Sequence, residues 1–387
     1  MHKIKLYNNI AELGLNEFDD EFVYSDDMEN PEGIVVRSAN LHDIEYNPEL
    51  KAISRAGAGV NNIDLDACTE KGIVVFNTPG ANANAVKEIV FAGMLLASRD
   101  IYHGIEWSKT QTDNPYLLKT VEKQKKLYAG NELMGKSLGI IGLGAIGIRV
   151  ANLALRFGME VYGYDPYLSV DNAWDLSRYV IHVKDIKDIF RKCDFITLHV
   201  PLNDSTKDTI NKDSIAIMKE GVKILNFARG PLVNNEDILE ALESGKVAKY
   251  VTDFPTAELM KNENVIGMPH LGASTEESEL NCAVKACQEM KHYLKYGNIK
   301  NSVNMPNCIL DYNGGHRVCI FHKNIPTQLS QITAAVGKEK VNINNMVNKS
   351  RGEIAYTILD MSGKMSDETM NEIKNIDGVI RVETYGE

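Results

Sequence analysis

SLGIIGLGAIGIRVANLALRFGMEVYGYDPY, residues 137–167, is the stretch that decides the fold of the chain. An apolar run leads into a glycine-rich turn, a long apolar helical segment follows, and a second strand ends at Asp165. This order is typical of a strand–helix–strand crossover with two parallel strands. Shorter β-branched runs alternate with helical periods on both sides of it, so the sequence predicts an α/β protein built on parallel sheets.

The glycine-rich turn has the spacing GxGxxG of a dinucleotide-binding loop, and it lies between a strand and a helix as such a loop must. Gly142 permits the tight turn. Gly144 lets a pyrophosphate approach the free N–H groups at the helix N-terminus. The predicted cofactor contacts in this turn are Gly142, Gly144, Ala145, Ile146 and Gly147.

Asp165 follows Gly142 by 23 residues, at the end of the second strand. A carboxylate in this place binds a ribose 2′-hydroxyl and repels a 2′-phosphate, so the predicted cofactor is NAD rather than NADP. The alternative is a structural turn that Asp165 only caps. A second match, GxxxxGKS at residues 130–137, is rejected as a phosphate-binding loop, because a polar helix precedes it and a strand follows it.

The chain divides into three predicted domains. Residues 1–97 and 285–305 form a discontinuous substrate-binding domain with a flavodoxin-like, doubly wound parallel sheet, since the helix at 276–297 returns to the first domain. Residues 98–284 form a Rossmann NAD-binding domain with a second doubly wound sheet. After a linker rich in Asn and Gly, residues 316–387 have the order βαββαβ of a ferredoxin-like fold.

Composition and charge exclude several classes of protein. The 387 residues include 53 Asp and Glu against 42 Lys and Arg, and the net charge of −11 argues against nucleic acid as a partner. No apolar run is long enough to span a membrane, and the N-terminus lacks the apolar core of an export signal. The six cysteines have no metal-site spacing, so we expect no metal and a reducing, cytoplasmic location.

Three side chains with the chemistry of hydride transfer follow predicted strands of the second domain: Arg229, Glu258 and His270. The planar fork of an arginine matches a carboxylate, and a histidine with an acidic neighbour suits proton transfer from a hydroxyl group. The carboxyl ends of parallel strands are where open α/β sheets bind ligands. The alternatives are a structural ion pair for Arg229, a solvated loop residue for Glu258 and a core histidine for His270.

The motifs NFARGPLVN, TDFPTAE and PHLGAST, together with GLGAIG, resemble the D-isomer-specific 2-hydroxyacid dehydrogenases over nearly all of residues 1–300. The resemblance implies that Arg229 binds the substrate carboxylate and carbonyl, that His270 is the acid–base group and that Glu258 is its acidic partner. It also implies a homodimer or homotetramer. Further residues at the nicotinamide end of the cofactor would be His199, Pro201, Thr206, Ala228, Asp253, Gly272 and Ala273.

One position departs from the family pattern. The family acid usually follows Phe-Pro-x directly, but Ala257 stands there in this chain and Glu258 comes one residue later. The spacing of four residues between Asp253 and Glu258 is kept, which favours Glu258 as the acid.

Cations and glycines follow three strands of the first domain and predict an anion pocket. The segments VRSAN, RAGAGVNNIDL and FNTPGANANAVKE resemble the branch of the family that acts on 3-phosphoglycerate. That resemblance implies NAD-dependent oxidation of 3-phospho-D-glycerate to 3-phosphohydroxypyruvate, the first step of L-serine biosynthesis. The residues near this phosphorylated 2-hydroxy acid would be Arg37, Ser38, Arg55 and Asn82.

Two other functions stay open. One is a different D-2-hydroxyacid dehydrogenase, or a hydroxypyruvate or 2-oxoglutarate reductase. The other is a non-enzymatic NAD sensor of the corepressor type, which shares the fold but tolerates loss of the Arg, Glu and His set.

The C-terminal βαββαβ segment resembles an ACT domain, a module that binds amino acids between paired copies. The resemblance implies an effector site for L-serine at His322, Asn324 and Asn342. Amide side chains suit both the ammonium and the carboxylate of an amino acid. Thr327 replaces the usual glycine of this site, so a purely structural, dimerising ACT domain is the alternative.

Overall fold

The computed structural model describes residues 1–386. Its strands, in chain order, are β1 His2–Tyr7, β2 Phe22–Ser25, β3 Gly33–Val36, β4 Ala52–Arg55, β5 Val74–Phe76, β6 Ser137–Ile141, β7 Glu160–Tyr164, β8 Ile181–His182, β9 Phe195–Leu198, β10 Val222–Asn226, β11 Val247–Thr252, β12 Val265–Gly267, β13 His316–Lys323, β14 Ile343–Arg351, β15 Ile354–Met361 and β16 Val379–Tyr385. Its α-helices are α1 Glu12–Leu15, α2 Leu65–Glu70, α3 Ala83–Ser98, α4 Ile101–Lys109, α5 Leu117–Gln124, α6 Ala145–Arg156, α7 Val170–Asp175, α8 Ile186–Lys192, α9 Lys212–Ala216, α10 Asn235–Glu243, α11 Glu276–Tyr296, α12 Gln328–Val336 and α13 Asp367–Lys374. Short 3-10 helices lie at Lys125–Tyr128, Gly230–Leu232 and Leu259–Lys261.

The described chain separates into two compact units. The first contains residues 1–82 and everything described from Glu276 onward, and the second contains residues 83–275. Each unit has its own buried core, as expected for a chain of this size.

The first unit begins with a parallel sheet of order β2-β1-β3-β4-β5. Its central strand β3 is buried along its whole length, which is typical of a parallel sheet covered on both faces. Helix α11 packs on this sheet, and the hydroxyl of Ser54 in β4 donates to the carbonyl of Ala286 in α11 at 2.9 Å. The N-terminal and late segments of the sequence therefore build one core.

The C-terminal part of the first unit is an antiparallel sheet of order β14-β15-β13-β16, with connections that follow the order βαββαβ. This sheet is not isolated from the parallel sheet. One buried cluster joins Phe76 and Tyr293 with Phe321, Tyr356 and Tyr385 from the C-terminal strands. The two sheets of the first unit thus share apolar packing.

The second unit is built on a seven-stranded parallel sheet of order β12-β11-β10-β9-β6-β7-β8. The chain order reverses between β6 and β9, and ligands bind at such a point in doubly wound folds. Helix α3 packs on this unit because Gly93 lacks a side chain. A Cβ at Gly93 would lie 3.0 Å from Val251 and 3.1 Å from Phe227.

The predicted fold class is confirmed: two parallel α/β sheets and a small antiparallel βαββαβ sheet. The rejected GxxxxGKS match is preceded by a 3-10 helix and followed by β6, as expected for a chance match. The chain passes from one compact unit to the other at residues 82/83 and 275/276. The sequence predicted these crossings near residues 98 and 285. The first crossing differs because α3 packs within the second unit. As functional boundaries, the predicted domains stay predictions.

Among the helices of residues 1–386, none combines the length and apolar character that crossing a bilayer requires.

Candidate active site

The glycine turn between β6 and α6 leaves open space where the sequence predicts a pyrophosphate. Gly142 has a φ of 97°, and a Cβ there would lie 2.5 Å from the carbonyl oxygen of His199. A Cβ on Gly147 would lie 2.0 Å from the carbonyl oxygen of Gly142. A Cβ on Gly144, in contrast, would meet no atom within 4 Å. Two of the glycines are thus required by the fold, and Gly144 borders free space at the start of α6, where Ala145 and Ile146 follow.

Asp165 lies one residue beyond β7 and holds the glycine turn. Its Oδ2 accepts a hydrogen bond from the amide of Leu143 at 2.8 Å, and its Oδ1 accepts one from the amide of Tyr167 at 2.8 Å. Each carboxylate oxygen has a second lone pair, so the group keeps acceptor capacity for a ribose hydroxyl. Asp165 therefore caps the turn, which was the structural alternative for this residue. It can still accept a hydrogen bond from the predicted cofactor.

Two shielded polar atoms without hydrogen-bond partners lie at the ends of β9 and β11, which flank β10 in the sheet. Nδ1 of His199, which follows β9, has no partner among residues 1–386, and neither does Oδ1 of Asp253, which follows β11. The Nε2 of His199 shares a hydrogen bond with the Thr197 hydroxyl at 3.0 Å, and burial lowers the pKa of the imidazole to about 3. Unpartnered buried polar groups call for a partner. The residues present therefore fit a polar ligand such as a nicotinamide amide.

The loop after β9 contains Pro201 and Thr206, two further residues that are predicted to contact the cofactor. The hydroxyl of Thr206 donates to the carbonyl of Pro201 at 2.6 Å, which closes the loop on itself. Thr206 therefore positions the loop backbone in this structure.

Arg229 is exposed at the end of β10 and forms no ion pair with any residue of the described chain. Asn226 fixes the backbone around it: its Nδ2 donates to the Arg229 carbonyl at 2.9 Å, and its Oδ1 accepts from the amide of Ala228 at 3.2 Å. One Arg229 guanidinium nitrogen donates to the Ala228 carbonyl at 2.7 Å. A structural ion pair, the alternative for Arg229, is absent from these residues, and the guanidinium is open to an anionic ligand.

Asp253 is a buried acid whose backbone is hydrogen-bonded to the backbone of His270. It is 1% exposed, and its carbonyl accepts from the His270 amide at 3.0 Å. Its Oδ2 accepts from the amide of Gly272 at 3.0 Å, beside Ala273 in the same turn. Burial raises the pKa of this carboxyl. The Gly272 hydrogen bond and the charges of His270 and Arg229 act against that rise.

His270 is exposed, with its ring 4.9 Å from the ring of Phe254. Its backbone φ is 29°, a region that residues with side chains rarely adopt and that is often found at functional positions. A core histidine, the alternative for this residue, is therefore wrong.

Glu258 is exposed, and within residues 1–386 it forms no hydrogen bond or ion pair with His270. The chain turns before it, because the hydroxyl of Thr256 accepts from the amide of Leu259 at 3.3 Å and the Thr256 carbonyl accepts from the amide of Met260 at 3.0 Å. The structure thus brings Arg229, Asp253 and His270 together, whereas Glu258 is not bonded to His270 among the described residues. The partnership of Glu258 with His270 stays a prediction.

In the first unit, the predicted anion residues lie on loops that touch one another. The Nε of Arg55 donates to the carbonyl of Arg37 at 3.0 Å. The amide of Thr78 donates to the Gly57 carbonyl at 3.1 Å, which ties the loop after β5 to the loop after β4. Asn82 ends the loop after β5 and is half-buried.

Two residues of this cluster were missed by the sequence analysis. Glu279 in α11 forms an ion pair with Arg37, although 242 residues separate them. Asn8, with a φ of 70°, accepts from the amide of Ser38 at 2.9 Å. No local sequence signal marks either residue, because both contacts join distant parts of the chain.

The predicted effector residues of the antiparallel sheet are only partly brought together. A cavity of about 320 Å³ is lined by His322, Asn324, Thr327, Gln328 and Asn348, among others. The Nε2 of His322 shares a hydrogen bond with the Thr357 hydroxyl at 2.9 Å.

Asn342 lies elsewhere, where its amide donates to the Ser362 hydroxyl at 2.8 Å. Thr327 has a φ of 70°, which is the conformation that a glycine would adopt without strain.

Comparison with known proteins gives consistent results. Residues 91–272 match the family described as D-isomer specific 2-hydroxyacid dehydrogenase, NAD binding domain. Over 270 residues the chain is 41% identical to the D-3-phosphoglycerate dehydrogenase of Methanocaldococcus jannaschii, covering 68% of this chain and 49% of that protein. The chain thus spans about half the length of the first curated relatives it matches, with 49% and 53% coverage.

A shorter relative is covered more completely. Over 269 residues the chain is 40% identical to the hydroxypyruvate reductase of Thermotoga maritima, covering 66% of this chain and 83% of that protein. Among solved structures, the NAD⁺-bound 3-phosphoglycerate dehydrogenase of Entamoeba histolytica superposes with a TM-score of 0.60 at 28% identity, covering 80% of this chain and 99% of that one. The chain belongs to the D-isomer-specific 2-hydroxyacid dehydrogenase family.

Proposed function

We propose that this chain is an NAD-dependent oxidoreductase that converts 3-phospho-D-glycerate to 3-phosphohydroxypyruvate, the first step of L-serine biosynthesis. The observation that carries the proposal is the arrangement of an unpaired, exposed Arg229 and an exposed His270 around the buried carboxylate of Asp253. All three follow strands of the sheet that also carries the open glycine turn.

Each of these residues has a separate role in the oxidation of a hydroxy acid. Arg229 binds the carboxylate and the developing carbonyl, because its fork matches two oxygen acceptors. His270 takes the hydroxyl proton as the carbon–hydrogen bond breaks. NAD⁺, when bound, accepts the hydride from the same carbon. Glu258 is proposed as the acidic partner of His270, as the family pattern implies.

The proposed cofactor contacts are the glycine turn, Asp165 and the two strand ends with unpartnered atoms. His199 and Asp253 each offer one shielded polar atom to the amide of the nicotinamide. Pro201, Thr206, Ala228, Gly272 and Ala273 border this region. Asp165 would bind the ribose hydroxyl and disfavour NADP.

The proposed phosphate contacts are Arg37, Ser38, Arg55 and Asn82 of the first unit. Two arginines and backbone amides are typical of a phosphate site. The phosphate preference is also supported by relatives named D-3-phosphoglycerate dehydrogenase at 35–41% identity.

Reduction of unphosphorylated hydroxypyruvate is the second candidate, favoured by the relative of that name that the chain covers over 83% of its length. It requires the same Arg229 and His270 but no phosphate contacts. A non-enzymatic NAD sensor would require neither the Arg229 and His270 pair nor the phosphate contacts.

The direct test is NADH formation by the purified chain with NAD⁺ and 3-phospho-D-glycerate, compared with the His270→Asn variant. Turnover by the wild-type chain and its loss in the variant support the proposal. NAD⁺ binding without turnover would favour the sensor.

We also propose that L-serine binds the cavity beside His322 and Asn324, with Asn342 supplied by a second copy in a homodimer or homotetramer. The cavity is polar and, at about 320 Å³, large enough for an amino acid. L-serine titrated into the assay should inhibit turnover. Full activity at millimolar L-serine would leave only a structural role for the sheet.

The six cysteines are all free and buried, which supports the proposed cytoplasmic location.

A further inference from the structure

A second polar pocket lies in the first unit, between α11 and the segment that follows it. Its volume is about 360 Å³, and its lining includes Lys285, Glu289, His292, Asn298, Lys300 and Asn301. None of these residues belongs to the glycine turn, the strand ends or the effector cavity described above.

One buried side of the pocket is formed by the side-chain amide of Asn298, and hydrogen bonds fix its orientation. Asn298 is 4% exposed, and its Oδ1 accepts from the amide of Leu310 at 3.0 Å and from the Arg317 guanidinium at 3.3 Å. Both acceptor positions of the oxygen are thus directed at the protein. The amide nitrogen donates one N–H to Nε2 of His292 at 3.3 Å, which leaves its second N–H for another acceptor on the pocket side of α11. A donor held in this way suits an anion better than a cation.

The charges of the pocket also favour an anion. Lys285 and Lys300 are the two permanent charges of the lining, and the Nζ of Lys285 donates to the carbonyl of Pro79 at 2.6 Å. Burial, with Lys300 and Arg317 nearby, lowers the pKa of His292. This imidazole is therefore neutral near pH 7 and still carries one N–H donor.

Glu289 is the one acid of the lining, and its environment weakens its negative charge. Its Oε1 accepts from the Asn301 amide at 2.5 Å, while its shielded Oε2 has no partner in the described chain. Burial raises the pKa of this carboxyl to about 7, against the opposing effects of Asn301, Lys285 and Lys300. Near neutral pH the carboxyl is partly protonated, and the pocket carries net positive charge.

We propose that this pocket binds a small oxyanion, a phosphate or carboxylate group, through Lys300, Lys285 and the amide of Asn298. The site lies outside the residues assigned to the reaction. An oxyanion beside Glu289 disfavours the ionised carboxylate, so binding takes up a proton at this residue. The charged groups that face Glu289 are Lys285 on its own helix and Lys300 on the following segment.

Isothermal titration of inorganic phosphate into the Arg55→Ala variant of this 387-residue chain, without NAD⁺, tests the site. The Arg55→Ala background weakens phosphate binding at the proposed substrate loop, so the result does not depend on the proposed function. Lys300→Met is expected to weaken the remaining binding roughly tenfold, the size of one lost charge-assisted hydrogen bond. The matched control Lys364→Met removes an exposed lysine elsewhere in the same unit and is expected to leave the affinity unchanged. Equal affinities for the two variants, or no binding, would overturn the proposal.

Two further titrations identify the preferred anion and the residue that takes up the proton. Acetate titrated in the same way distinguishes a carboxylate from a phosphate ligand, and the tighter of the two is the preferred chemistry. Titrations in buffers of different ionisation enthalpy should show proton uptake, which Glu289→Gln abolishes while it tightens binding severalfold at about pH 8. Uptake that persists in Glu289→Gln would contradict the role given to this carboxyl.

Discussion

The ion pair between Arg37 and Glu279 competes with the anion that Arg37 is proposed to bind. The two side chains are 44% and 43% exposed, so the pair contributes at most about 1 kcal/mol to stability. A phosphate that reaches Arg37 must displace this carboxylate. We therefore expect Glu279 to affect the affinity for the proposed substrate more than the stability of the fold.

We expect Glu279→Gln to lower the KM for 3-phospho-D-glycerate about two- to fivefold and to leave Tm unchanged, because an exposed pair is worth little to folding. Steady-state kinetics and a thermal melt measure both effects. Glu277→Gln, also exposed on α11, is the control for loss of one negative charge. The same decrease in KM for both variants would mean that only net charge matters.

Two carboxylates are candidates for the acidic partner of His270. Glu258 follows the family spacing but is exposed and apart, and Asp253 is buried beside His270. We expect Glu258→Gln to reduce the oxidation rate about 100-fold and to move the pH–rate profile to lower pH, since a neutral neighbour no longer stabilises the protonated imidazole. A wild-type profile for Glu258→Gln, together with a shifted profile for Asp253→Asn, would assign the partnership to Asp253.

In the turn from β6 to α6, Gly147 is required by the fold, whereas Gly144 borders open space. We expect Gly144→Ala to fold normally, because its Cβ meets nothing within 4 Å, and to raise the KM for NAD⁺ about tenfold or more by filling the space needed for pyrophosphate. Gly147→Ala places a Cβ 2.0 Å from a backbone oxygen and should lower stability by about 2 kcal/mol or more. Thermal melts and NAD⁺ titrations of both variants check this. Unchanged NAD⁺ affinity in a folded Gly144→Ala would contradict the cofactor site.

The elements themselves could be predicted from local patterns. The run before Gly142 is apolar on both faces, and the order of the C-terminal strands and helices specifies βαββαβ. The packing partner of α3 could not be predicted, because it depends on a close approach at Gly93 that no periodicity records. The positions of Arg229 and His270 after strands could be predicted from the order of the chain, and their roles stay predictions. The contacts of Glu279 and Asn8 join distant parts of the chain and could not be predicted.

Within the first unit, Arg317 links the antiparallel sheet to α11. It is 0% exposed, pairs with both carboxylate oxygens of Asp360 at 2.6 and 3.0 Å, and donates to the Tyr296 carbonyl at 2.8 Å. Removal of one partner from a buried pair leaves the other charge without compensation.

We expect Arg317→Met to lower the free energy of unfolding by about 3 kcal/mol and to destabilise both sheets of the first unit together, since they share one buried cluster. Chemical denaturation followed by hydrogen exchange measures both effects. Loss of protection confined to the C-terminal strands would show that the two sheets unfold independently.

The proposed function requires a preference for a phosphorylated hydroxy acid. The most direct test compares kcat/KM for 3-phospho-D-glycerate and D-glycerate with NAD⁺, in the wild-type chain and in Arg55→Ala. We predict that the wild-type chain prefers the phosphorylated substrate about 100-fold or more, as expected for two arginine contacts, and that Arg55→Ala raises KM for 3-phospho-D-glycerate alone. Equal efficiency with both substrates, or an equal loss for both in Arg55→Ala, would show that the chain does not recognise the phosphate group.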